Sequence, residues 1–94
     1  MRFPTIHLNG TSADALFEGY KAAADALNEA LRLLHETGPN GRDYYPQGGL
    51  EVLKAATEEH LLRVQCLSDV RMELLELAAH VLDEQEKREA LKRR

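Results

Sequence analysis

The chain has 94 residues and 10.6 kDa, one domain's worth, and its 44% hydrophobic and 30% charged residues exclude a disordered tail or a low-complexity fibre. Twelve basic against sixteen acidic residues, a formal net charge of −4, argue against a dedicated nucleic-acid binder. The single cysteine, Cys66, excludes an internal disulfide and a zinc site of its own, and no apolar run approaches the ~18–20 residues that span a bilayer.

The opening Met1–His7 lacks an apolar stretch and a small-residue cleavage site, so no signal peptide is expected. Residues 1–10 read as a short extended arm in which Ile6 and Leu8 alternate with His7 and Asn9, a period of two that would staple the arm to a helical body. A first helix is expected over about 12–37. Asn9-Gly10 is a turn dipeptide, Thr11 and Ser12 offer N-cap hydroxyls, and Asp14 stands three residues after Thr11 like a capping box. The apolar stripe Leu16, Tyr20, Ala23, Leu27, Ala30 or Leu31, and Leu34 gives the helix one inward face. Gly38 is expected to close it in a left-handed conformation, and Pro39 to forbid its continuation.

A loop is expected over 38–49, where Gly38, Gly41, Gly48 and Gly49 gather with Pro39 and Pro46. Within it Asn40-Gly41 reads as a tight turn with positive φ, and Pro46 as holding Tyr45 extended. The second helix is expected over about 50–90. Its stripe is Leu53, Ala56, Thr57, Leu61, Val64, Leu67, Leu74, Leu75, Ala78, Val81 and Leu82, with further apolar positions at Leu62, Cys66, Val70 and Leu77. That is more apolar surface than a partner of some 27 residues covers. The expected fold is therefore all-α: a helical hairpin with a short N-terminal arm, one domain over residues 1–94, self-associating into a helical bundle. The charged tail from Asp83 to Arg94 reads as a frayed, solvated helix end, with a basic hook for nucleic acid as the lesser reading.

No enzyme is expected. There is no Gly-rich phosphate loop, and Glu58-Glu59-His60 lacks the second histidine of a zinc-binding helix. Mid-helix Cys66 reads as a small buried hydrophobe rather than a nucleophile. His7, His35, His60 and His80 form no i, i+4 pair, so no metal site and no cofactor are expected.

Two polar segments can carry binding. In the loop, Arg42 offers a planar fork of donors for phosphate or carboxylate, Tyr44 and Tyr45 offer rings for stacking, and Gln47 offers an amide. The plainer reading is an ordered loop with Arg42 and Asp43 paired locally. In the arm, His7, Asn9 and Thr11 gather where a helix start favours anions, the plainer reading being a simple cap. A first helix of about 40 Å separates the two segments in one chain, so they meet only if a second copy brings its own. His60 and Arg71, three turns apart, are a further pocket or interface pair, with Glu18, Asp25 or Glu29 as partners for the arginine.

The segments Thr5-Ile6-His7-Leu8-Asn9-Gly10-Thr11-Ser12 and Asn40-Gly41-Arg42-Asp43-Tyr44-Tyr45-Pro46-Gln47-Gly48, joined by a helix of this length, resemble those of short uncharacterised proteins of bacteriophages and prophages. The resemblance reaches to about Glu59 and continues only as a helical pattern. It implies phage origin and expression in the bacterial cytoplasm, and by analogy a stoichiometric action against a host system. The leading expectation is a protein that binds and sequesters a small anionic, nucleotide-type signalling molecule of host defence. The alternative is a protein–protein inhibitor of a host defence protein, acting through acidic helical faces.

Overall fold

The structure, a computed structural model, describes residues 1–93, so Arg94 of the charged tail lies outside the described residues. About 80% of the chain is helical, with no strand among the described residues. Helix α1 spans Ala13–Glu36, the single turn α2 spans Gly41–Tyr44 and runs into a 3₁₀ turn at Tyr45–Gln47, and α3 spans Leu50–Lys92. At ~1.5 Å per residue, the 43 residues of α3 account for most of the 69 Å long axis of a rod 20 Å across.

Of the two hydroxyls expected at the start of α1, Ser12 is the N-cap, accepting the Ala15 amide at 3.1 Å. Asp14 closes no capping box, because its carboxylate accepts instead from the Gln85 amide of α3 at 3.0 Å. At the other end Thr37 makes a left-handed glycine unnecessary. Its amide and its hydroxyl both donate to the carbonyls of Leu33 and Leu34, supplying donors that the last turn lacks. Gly38 accordingly has no positive φ.

The long helix pairs with the shorter one. Asp14 at the start of α1 meets Gln85, and Gly38 just past its end lies against the His60 ring. The inward positions of α3 include Leu53, Ala56, His60, Val64, Leu67, Arg71, Leu74, Ala78, Val81, Gln85 and Arg88, in steps of three and four. Those of α1 include Leu16, Tyr20, Ala24, Leu27, Leu31 and Leu34. The α3 series averages the ~3.5-residue repeat of a coiled-coil seam, the α1 series the ~3.6 of a straight helix.

Two parts of the expected stripes are corrected by the structure. On α1, Ala24 is 1% exposed while Ala23 faces solvent. On α3, Leu61, Leu82 and Thr57 are exposed, the Thr57 hydroxyl bonding back to the Leu53 carbonyl at 2.9 Å. The α3 helix carries large apolar residues on more than one face, so periodicity alone does not choose which face pairs. Polar His60 and Arg71, expected within or beside the apolar face, are half-buried in the seam. Small side chains at Ala24 and Ala78 let the helices approach, and Val81 is the largest side chain fully removed from water.

Among the described residues only Ala13, Ala24, Ala78 and Val81 are buried, and of these only Ala24 and Val81 almost completely. Leu62, Val70 and Met72 stay exposed along α3, and so does Cys66, which corrects its reading as a buried hydrophobe. Beside them Leu34, Leu62, Arg63, Cys66 and Leu67 line an open apolar groove of about 470 Å³.

Candidate functional site

The candidate binding residues sit in two places. The first is the corner between the helices. Asn40 is extended, and its side-chain oxygen accepts the Arg42 amide at 3.1 Å while its carbonyl accepts the Asp43 amide at 3.0 Å. It is thus the N-cap of α2 rather than part of a positive-φ turn. Tyr45 is helical (φ −56°, ψ −31°) even though Pro46 follows, which corrects the extended reading. Proline tolerates the first turn of a helical segment, where its missing N–H has no partner to lose. The Gly48 amide closes the turn on the Tyr45 carbonyl at 3.3 Å.

This helical corner splits the two tyrosines. Tyr44 is half-buried, whereas Tyr45 is 73% exposed and forms a wall of an apolar groove of about 400 Å³ with Gly41, Gly48, Gly49, Leu50 and Leu53. Gly48 has a φ of +156°, and a Cβ there would stand 3.0 Å from the Val52 side chain, so the groove floor needs glycine. Arg42 and Gln47 are exposed and adjoin the lining residues Gly41 and Gly48 in sequence, but neither lines the groove itself. Among the described residues Arg42 makes no ion pair, and in particular none with Asp43.

The second place is the arm. It makes no strand; a turn at its end is closed by the Gly10 amide on the His7 carbonyl at 3.1 Å. The His7 ring folds over that turn, since a Cβ on Gly10 would lie 2.8 Å from its Nε2. Asn9 and Thr11 are exposed beside it. Leu8, expected to staple the arm, is 92% exposed at the turn, and Ile6 shares the inward side with Pro4 instead. The arm is held by α3: the Phe3 and His80 rings stack with centroids 4.6 Å apart, His80 Nε2 lies 3.2 Å from the Pro4 carbonyl, and Arg88 donates to the Ile6 carbonyl at 2.6 Å.

One chain does not bring the two places together. The corner lies beside Leu50 and Leu53, the arm beside His80 and Arg88, and the 27 residues of helix between Leu53 and His80 measure about 40 Å. His60 and Arg71, about 16 Å apart along α3, share the seam but form no common pocket. His60 packs against Gly38. Arg71 has its Nε buried without a partner, and the carboxylates expected to meet it do not. Asp25 pairs with Lys21 at 3.4 Å, and Glu29 with Arg32, which holds the Glu29 carboxyl below its ordinary range.

The sequence reading missed His80, Gln85 and Arg88. The signal for Gln85 and Arg88 lay in the seam itself, whose steps of three and four continue through 78, 81, 85 and 88 into the stretch read as a frayed tail; His80 stands off that series and had no such signal. Among the described residues no three His, Cys, Asp or Glu side chains are placed to share a metal ion, and no helix is long and apolar enough to cross a membrane. Searches of protein-family models, curated proteins and solved structures return no match to this chain.

Proposed function

We propose that this chain is a non-enzymatic, phage-encoded protein of the host bacterial cytoplasm that binds and sequesters a small anionic, nucleotide-type signalling molecule of host defence. The observation that carries the reading is the corner. An exposed guanidinium that forms no ion pair among the described residues, Arg42, directly follows groove-lining Gly41 in sequence, and the exposed Tyr45 ring walls the same apolar groove. A planar donor fork beside an aromatic face suits a phosphate joined to a base. The groove's volume of about 400 Å³ falls in the ~300–1,000 Å³ range of small-molecule sites. Tyr44 supports the corner from its half-buried position, and exposed Gln47 adds an amide next in sequence to groove-lining Gly48.

The working form in this reading is an antiparallel helical hairpin, self-associated into a bundle, in which the arm of a second copy brings His7, Asn9 and Thr11 toward the corner. Surface area supports association. A compact chain of this mass exposes about 5,500 Å², whereas this one exposes 7262 Å². The excess exceeds the ~800 Å² that each partner gives to an ordinary interface.

A protein–protein inhibitor of a host defence protein is the second reading, favoured by the groove at Leu34, Leu62, Arg63, Cys66 and Leu67, which offers a partner a mostly apolar surface. Native mass spectrometry of protein purified from its host, followed by calorimetry against linear and cyclic nucleotides, separates the two. A co-purifying ultraviolet-absorbing small molecule supports sequestration. No heat with any nucleotide, together with one stoichiometric host protein retained in a pull-down, overturns it in favour of inhibition.

A further inference from the structure

Along the last turns of α3 two cations bond to acids one turn away on the same helix: Lys87 to Asp83 and Glu84, and Arg93 to Glu89. Arg88 breaks this pattern. It is half-buried, pairs with no carboxylate among the described residues, and spends its guanidinium on the Ile6 carbonyl, 82 positions away in sequence. Two turns earlier His80 stacks on Phe3 and, in the tautomer carrying the Nε2 proton, donates to the Pro4 carbonyl. Positions 80 and 88 share one side of the helix. In the arm, Pro4 and Ile6 are half-buried while Thr5 and His7 are exposed, the alternation of an extended segment lying on a surface.

From this we infer that Arg88 and His80 are positioning residues that clamp the Ile6 and Pro4 carbonyls, fix the register of the arm on α3, and so hold the His7–Thr11 turn in one place. An arm without helix or strand has almost no hydrogen bonds of its own, and α3 supplies the donors that its inward carbonyls need. A slip of one residue would turn Pro4 and Ile6 outward and leave both donors facing the wrong carbonyls. From the other side, the Ser12 cap fixes where α1 begins. The His7–Thr11 turn is therefore pinned at both ends. The inference rests on the proposed function only in giving His7, Asn9 and Thr11 a ligand; the clamp needs none.

Backbone ¹⁵N order parameters over residues 3–10 test it on the full chain, in the wild type, Arg88→Ala, Arg88→Lys, Phe3→Ala and the control Lys87→Ala. The wild-type arm should show the ~0.85 of rigid backbone, and Arg88→Ala and Phe3→Ala should drop it below ~0.6. Arg88→Lys, which keeps a charged donor, should recover part of the loss. Lys87→Ala should change nothing, with helical circular dichroism equal throughout. A rigid arm in both Arg88→Ala and Phe3→Ala overturns the clamp, and so does equal loosening by Lys87→Ala, which would mark simple fraying of the helix end. Calorimetry with a cyclic and linear nucleotide panel reads the other proposal separately. A loosened arm in Arg88→Ala together with weakened nucleotide binding supports both. A loosened arm in a chain that binds no nucleotide upholds the clamp and removes the ligand from it.

Discussion

Val81→Ala tests the seam most directly, because among the described residues Val81 is the largest side chain with no exposed surface. The change deletes two carbons from a fully packed site. At ~0.8 kcal/mol per buried methylene that is about 1.6 kcal/mol, and the unfilled space left behind raises the cost to about 2 kcal/mol. For a domain of this length one kcal/mol moves the melting midpoint by about 4–8 °C, so the expected fall is about 8–16 °C. Leu82→Ala is the internal comparison. It removes a bigger side chain from the next position, yet one that is 39% exposed, and it should cost less than Val81→Ala. Both melts are followed by far-ultraviolet circular dichroism at one fixed low concentration, since association would otherwise shift the midpoint by mass action. A Val81→Ala midpoint within about 3 °C of wild type would refute the seam as described, because deletions at a packed site and surface changes of about ±0.5 kcal/mol would then be indistinguishable.

Arg42→Ala should leave the melting midpoint within the scatter of surface substitutions, as the side chain is exposed and unpaired, while abolishing the heat of nucleotide binding in calorimetry. Gly48→Val should destabilise by roughly 1–3 kcal/mol, since it forces a β-branched residue into a strained φ and against Val52; urea unfolding reads the loss, and a neutral result would refute the geometry of the corner. Leu62→Lys, placed in the open apolar groove, should shift light scattering from a multiple of 10.6 kDa toward the single-chain mass with the helical signal retained, and an unchanged mass would remove this groove from the interface.

The all-helical character and the two long segments were legible in the sequence because Gly and Pro cluster between two stretches free of proline, and the helix bounds fall within a residue or two of those expected. The phase of the seam was not. α3 offers apolar residues at 61, 62, 66, 70 and 82 as well as along the seam, and only the partner helix selects among them. Ser12 was one of the two hydroxyls legible at the start of α1, whereas the Asp14 capping box and the Gly38 close were not legible for a similar reason: what ends each helix depends on where Asp14 and Thr37 find partners. The corner was legible in composition but not in conformation, since Pro46 argued locally for extension while the Asn40 cap favours a helical turn. The clamp at His80 and Arg88 joins residues more than 70 positions apart, and no local pattern announces such a pairing.

The pairing of residue 14 with 85 and of residue 38 with the neighbourhood of 60 orders events during synthesis. As α3 emerges, the end of α1 finds its cover first, the middle later and Ala13 last, so closure spreads outward from the corner like a zip. At ~5–20 residues per second, the stretch from the corner to Arg88 takes several seconds to appear, and during them the early part of the α1 stripe stays uncovered. The Phe3–Ile6 segment, made first, docks only when the final turns have been made. A nascent chain stopped near residue 75 would contain every candidate binding residue and yet leave the arm with nothing to rest on.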